Sequence, residues 1–295
     1  MSLRLEMLQV ARVAPKVLGE SAGLVKEFLR GQQNSDGGFK DRSGKSDLYY
    51  TVFGLDAYAV FQAEPDLDAV EKFLGTFADG DGLDLVHLSC LTRCWGSLGK
   101  DRMPKGLRAK LLQRLESFRK PCGGWDNNLK REHGTAYGSF LALGAYQDMG
   151  KLPPNPLRIL QSLKKLETPD HAWNNHPNLP IGSTNPTAGA VVLLNNLHLP
   201  INAEVGQWLR DRLHPQGGFV AVPDAPMPDL LSTATALHAL AALDVRLSEE
   251  ETESCLDFVD SLWNATGGFH GHWSDDYLDC EYTFYGLLAL GHLSL

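Results

Sequence analysis

A Gly-Gly-aromatic phrase recurs along the chain, as QQNSDGGF at 32–39, RKPCGGW at 119–125, LHPQGGF at 213–219 and WNATGGF at 263–269. Worn copies stand at 78–85 (ADGDGLDL) and 168–173 (TPDHAW), giving a period of about fifty residues with one shortened unit. Such a period means one supersecondary unit stacked on itself, because a single unit cannot bury its apolar face alone. After each copy a loop leads to an acidic or small polar residue that opens a long apolar segment. These opening residues are Asp47, Asp84, Glu132, Ser183, Asp229 and Asp279.

Each unit holds two helices of different character. The first is amphipathic: in 104–120, Leu107, Leu111, Leu115 and Phe118 form one stripe, and in 248–263, Ser248 and Glu251 stand at capping-box spacing. The second is apolar nearly all round, as in YTFYGLLALGHL (282–293), and a helix without a polar face is buried. Every unit therefore reads as an outer helix, a turn whose glycine ends that helix and whose aromatic plugs the hairpin, and an inner helix. Inner helices are expected over 47–61, 84–98, 132–146, 183–197, 229–243 and 279–293. The last one runs to the C-terminus with no polar capping repeat, which favours ring closure over an open solenoid. The expected fold is all-α: one domain over 1–295, a single α/α toroid of six helical hairpins.

The formal charge of −9 argues against nucleic acid or an anionic membrane surface as partner. Five cysteines with no CxxC read as reduced thiols, and the charged N-terminus resembles neither a signal peptide nor a membrane span, so a cytoplasmic protein is expected. In a ring of this kind all inner-helix N-termini line one rim, with free amide donors and partial positive charge behind it. Asp and Ser at those positions are equally what helix capping asks for. A cavity walled by aromatics would suit a ligand with an anionic head and an apolar tail, the form of a prenyl diphosphate, and aromatic faces would steady an allylic cation.

The recurrent turn and its unit resemble the repeats of protein prenyltransferase β subunits and of squalene and terpenoid cyclases, over about Gly23 to Leu295. The resemblance implies an α/α barrel that takes an isoprenoid inside, and in the transferases a zinc-activated thiol that attacks a prenyl diphosphate. Carried over by position, the zinc-binding Asp-x-Cys falls on Asp229-Leu230-Leu231, and the zinc-binding histidine falls on Tyr282. The basic residues expected just before are absent from 220–228, so zinc is not expected at the family position. The His-Gly that helps hold diphosphate is matched by His133-Gly134.

The candidate site then comprises Asp229, Asp279 and Tyr282 as catalytic groups. Lys130, Arg131 and His133 stand near an anionic head, and Trp95, Trp125, Phe284 and Tyr285 form the apolar wall. The string DDYLD at 275–279 spells a magnesium–diphosphate motif of a different fold, where its context is wrong. No DxDD occurs, so a cyclase reading needs Asp229 or Asp279 as its acid, with burial raising its pKa. The function expected is that of an isoprenoid-binding, prenyltransferase-β-like protein acting on a prenyl diphosphate or terpenoid, with the standard zinc site not intact. Its alternatives are a non-catalytic isoprenoid-binding or scaffold protein and a small terpenoid cyclase. The reading leaves room for a helical partner subunit.

Overall fold

The computed structural model describes residues 1–295. Six inner helices form a ring: α4 (Leu48–Val60), α6 (Leu85–Leu98), α8 (Ala136–Asp148), α10 (Thr184–Asn196), α12 (Leu230–Ala242) and α14 (Cys280–Leu293). Each packs on the next, and α14 packs back on α4. Around them lie the outer helices α3 (Ala22–Gln32), α5 (Leu67–Gly75), α7 (Leu107–Ser117), α9 (Arg158–Lys164), α11 (Glu204–Arg210) and α13 (Glu249–Ser261). Strand structure is confined to a two-residue hairpin, Phe39–Lys40 with Ser46–Asp47, and isolated bridges. No helix is long and apolar enough to cross a membrane.

The turns carry the closure. The first glycine of each Gly-Gly pair has positive φ and lies against the backbone of the next outer helix. A Cβ on Gly37 (φ +97) would stand 2.0 Å from Ala69 O in α5, and one on Gly267 (φ +101) would stand 2.2 Å from Leu24 O in α3. The last turn thus docks on the first outer helix, which is ring closure at the outer layer. In the worn fourth copy His171 takes the glycine's place at φ +65. The glycine does not end the outer helix as the sequence suggested: α3 stops at Gln32, and Gly37 closes a separate turn by donating to Asn34 O.

The turn aromatics Phe39, Trp125, Trp173, Phe219 and Phe269 are buried inside their hairpins. Four are latched by a hydroxyl on the fourth residue of the inner helix: the backbone N–H groups of Phe39, Trp125, Trp173 and Phe219 donate to Thr51, Ser139, Thr187 and Thr233. Capping sets the helix starts. Asp47, Asp84, Asp229 and Asp279 accept from first-turn amides, as expected of aspartate at an N-cap. One boundary is corrected: the third inner helix begins after Thr135, not at Glu132, because Thr135 both caps Gly138 N and pairs with Trp125.

An element with no counterpart among the repeats closes the far end. Helix α1 (Leu3–Ala11), followed by the short α2 (Ala14–Leu18), crosses the C-terminal ends of α4, α8 and α14. Gln147 and Asn196, near the ends of α8 and α10, bond to Leu3 N, Met1 O and Glu6. Gly291 in α14 lets Val10 approach so closely that a Cβ would stand 2.3 Å from its carbonyl oxygen. The toroid is a cup, open at the rim of helix N-termini and floored by α1.

Candidate functional site

Inside the cup is a cavity of about 350 Å3, within the range of small-molecule sites. Its wall follows helix geometry. Residues four apart lie one above the other on a helix face, and the cavity is lined by the second, fifth or sixth, and ninth residues of the inner helices. The upper layer includes Tyr49, Tyr137, Asn185 and Leu231; the middle includes Phe53, Phe140, Gly189, Thr235, Phe284 and Tyr285; the lowest includes Asp56, Arg93, Val192, His238 and Leu288. Met7 of α1 lies at the floor.

Behind the upper part of this wall stands a second buried acid besides Asp56: Glu281, the second residue of α14. It is 9% exposed, and the hydroxyl of the cavity-lining Tyr49 donates to its Oε1 at 2.6 Å. Burial lifts the Glu281 carboxyl to about 7; the Tyr49 hydrogen bond opposes the rise and the Asp279 charge adds to it. Tyr137, 43% exposed and facing the cavity, has its hydroxyl beside that of Tyr49. Aromatic rings crowd the same wall, with Tyr49–Phe53 centroids at 5.0 Å and Phe53–Tyr285 at 5.4 Å.

At the floor, Arg93 bridges two buried carboxylates, Nη2 to Asp56 and Nε to Asp148, both at 3.3 Å. Arg4 of α1 reaches Asp56 through Nε at 2.5 Å, so this network ties the floor helix to α4, α6 and α8. Beside it His238 Nδ1 lies 3.0 Å from His292 Nε2. Burial depresses both imidazoles, His238 to about 4 and His292 to about 3, with the neighbouring His238 adding to the fall at His292.

Of the residues picked from sequence, Phe284 and Tyr285 line the cavity. Trp95 and Trp125 do not; they are buried at 1% and 0% exposure, and Trp125 Nε1 donates to Leu115 O inside its own hairpin. The turn aromatic is needed as the hairpin's plug and cannot also face the ring interior. Lys130, Arg131 and His133 lie outside the cavity. Lys130 is exposed, Arg131 pairs with Asp126 at 3.3 Å, and His133 lines a polar groove with Lys164, Lys165 and Glu167 of the outer layer.

Asp229 and Asp279 sit at the rim, where their oxygens are engaged. Asp229 accepts from Ser232 N and Oγ, and Asp279 accepts from Tyr282 N and from Arg42 Nε at 3.0 Å. Burial raises both carboxyls against these hydrogen bonds. Arg42 also holds Asp275 at 3.0 Å and stands over the Tyr277 and Tyr282 rings, so the first and last carboxylates of the 275–279 string turn to a guanidinium, Asp276 is exposed, and Tyr282 packs against Arg42. No three His, Cys, Asp or Glu side chains converge as a metal-holding group. Glu281 is not conspicuous in the sequence because the capping Asp279 stands two residues before it and is the more obvious acid. The signal is the stripe: the second residues of four inner helices, Tyr49, Tyr137, Asn185 and Leu231, line the cavity, and Glu281 is the carboxylic acid at the corresponding place in α14.

Comparison with known proteins bears on this geometry. The family described as prenyltransferase alpha-alpha toroid domain matches residues 16–89 and 187–293, more than half of the chain. No curated protein matches. Among solved structures, the type II terpene cyclase MstE from Scytonema is similar in its apo form, with 13% identity over 94% of this chain and 97% of that one and a TM-score of 0.59. A point variant of the same cyclase in complex with the product merosterolic acid A gives 14% identity, 95% and 97% coverage and a TM-score of 0.62. Protein geranylgeranyltransferase-I of Candida albicans, complexed with GGPP, gives 14% identity over 98% of this chain and 82% of that one, with a TM-score of 0.49. At these identities the structural likeness speaks for the fold alone, and it is the family match that places the sequence: the chain belongs to the prenyltransferase alpha-alpha toroid domain family.

Proposed function

We propose that this protein binds a neutral isoprenoid in its cup and that Glu281, acting through Tyr49, starts its conversion by proton transfer, as in a small terpenoid cyclase. The observation that carries the reading is the buried Glu281 carboxyl, lifted to about 7 and hydrogen-bonded to a cavity-lining hydroxyl. Near neutral pH a large fraction of such a group keeps its proton, as a general acid requires. In the acid form the hydrogen bond reverses, the Glu281 carboxyl donating to the Tyr49 oxygen and freeing the Tyr49 hydrogen, which passes to a ligand double bond as the Glu281 proton replaces it. A C–H bond forms, the π bond breaks, and a carbocation and a carboxylate remain. The rings of Phe53, Phe284 and Tyr285, which line the cavity, would steady that cation. A prenyl diphosphate is the weaker candidate: Lys130, Arg131 and His133 lie outside the cavity, Arg42 is held by two aspartates, and Arg93 is already neutralised.

The test is incubation with farnesol and geranylgeraniol in D2O, following binding by calorimetry and products by mass spectrometry. The expected product is cyclic and carries deuterium, with turnover declining as pH rises through about 7 because the acid form is lost. Glu281→Gln should lower turnover by roughly 10²–10⁴-fold while leaving affinity nearly unchanged. Failure of both alcohols to bind, or full turnover in the glutamine variant, sinks the reading.

We further infer that the family's zinc position does not hold zinc. The residues there do not fit the metal: Leu231 offers no donor atom, Tyr282 packs on Arg42, and the Asp229 oxygens accept from Ser232. Protein purified without chelators should contain well under one zinc per chain by elemental analysis. A full equivalent, lost on Asp229→Ala, would reveal a rearranged site.

A further inference from the structure

The floor of the cup is more polar than an all-hydrocarbon ligand requires. Asp56 and Arg93 have a structural reason to be there, since they bind α1 to the ring. His238 has none of that kind. Its Nδ1 is taken by His292, whereas its Nε2 makes no hydrogen bond within the protein, on a residue that lines the cavity. Arg93 spends Nε on Asp148 and Nη2 on Asp56, which leaves Nη1 without a protein partner. Both residues are the ninth of their helices. In the ring order α4, α6, α8, α10, α12, α14 the helices α6 and α12 stand opposite, so the two side chains face each other at one depth.

Between this floor and the rim lies a mostly apolar waist that includes Phe53, Phe140, Gly189 and Tyr285. Seven residues separate the second position from the ninth, about 10 Å along the helix axis. We propose that the floor is a recognition site for an uncharged oxygen, a hydroxyl or carbonyl, at the deep end of the ligand, met by His238 Nε2 with Arg93 Nη1 facing it. This rests on the reading that the cup holds a neutral isoprenoid, and it sets that ligand's direction: hydrocarbon toward Glu281, oxygen toward α1. The oxygen is uncharged because the floor is already balanced. Arg4 and Arg93 offset Asp56 and Asp148, the histidine pair is neutral, and a further buried anion would go uncompensated.

The experiment compares farnesol with β-farnesene, which shares its carbon skeleton but lacks the oxygen, by calorimetry and by NMR of 15N-labelled histidine side chains. Farnesol should bind about tenfold tighter than the hydrocarbon, and more if its absence strands the floor's polar atoms. It alone should shift the His238 Nε2 resonance. His238→Phe should erase the preference and leave β-farnesene affinity in place, whereas His238→Gln, which keeps a polar terminus, should retain much of it. Equal affinities in the unmodified protein, or an unmoved His238 signal with farnesol bound, would overturn the proposal while leaving the cup's isoprenoid reading intact. A preference that survives His238→Phe but vanishes in Glu281→Gln places the oxygen at the rim and overturns it too. Binding of neither compound overturns the proposal and the isoprenoid reading together.

Discussion

Replacing Arg93 by methionine lowers the unfolding free energy by about 3–5 kcal/mol, the usual consequence of leaving a buried carboxylate without its partner. Arg93 is the one cation bonded to Asp148, whose side chain is 5% exposed; Asp56 keeps Arg4, and so is less affected. Burial already raises Asp148 against the pull of Arg93 and Arg4, and with Arg93 gone it rises further. A group whose folded pKa is raised favours folding at low pH and loses that contribution as pH climbs through the folded value. The deficit of Arg93→Met should therefore be largest near neutrality and shrink in mild acid. Urea titrations at two pH values measure this, and Arg93→Met with Asp148→Leu should recover a good part of the loss because no orphaned charge remains. A single variant as stable as the parent would mean that water reaches the floor network freely.

Acid should weaken the fold through the histidine pair, with the rim acid masking part of the effect. His238 falls to about 4 and His292 to about 3 from an ordinary 6.5, both through burial. The unfolded chain then takes up protons that the folded one refuses, so stability is full above about 6.5 and is lost as pH falls toward 4. For His238 alone the loss is roughly 3 kcal/mol. Glu281 works in the opposite sense. Its rise from 4.5 to about 7 favours folding below 4.5, and that contribution disappears as pH climbs to 7. Across 4.5–6.5 the two slopes oppose each other, and the parent protein should show a shallow profile. Glu281→Gln should expose the acid limb as a steep decline, and His238→Phe with His292→Leu should leave stability that falls as pH rises. Thermal or urea unfolding between pH 4 and 8 decides the matter; parallel profiles in all three proteins would show that neither buried group is shifted.

The repeats made the fold legible. Alternating amphipathic and wholly apolar helices demanded an inner and an outer layer, and the capping aspartates marked four of the six inner-helix starts. The third start was displaced because Glu132 looks like a cap, while Thr135 is the residue whose backbone pairs with Trp125. The site was read less well for one physical reason. Sequence period distinguishes a buried helix from a surface one, but a helix apolar on every side conceals which face looks onto another helix and which onto a void. In the sequence Trp95 and Trp125 therefore read as wall, whereas in the structure they are packing, and no motif in the sequence singles out Glu281. Helix α1 was missed because it belongs to no repeat, and its role depends on Arg4 meeting Asp56 from a distant part of the chain.

Docking of the last turn on the first outer helix, Gly267 against Leu24, changes how this protein comes apart. A linear repeat array frays from its ends, where each terminal unit has only one neighbour. A closed one has no terminal unit to fray, so opening must break an interface that is as well packed as any other in the ring. Folding meets the mirror image of that constraint, since the closing contact joins segments from opposite ends of the sequence and comes only after a large loss of chain entropy. Slow formation and slow dissolution follow together. The ring's persistence is then set by the height of a barrier more than by the depth of a well, a useful property for a vessel whose interior would otherwise open to water each time a hairpin let go.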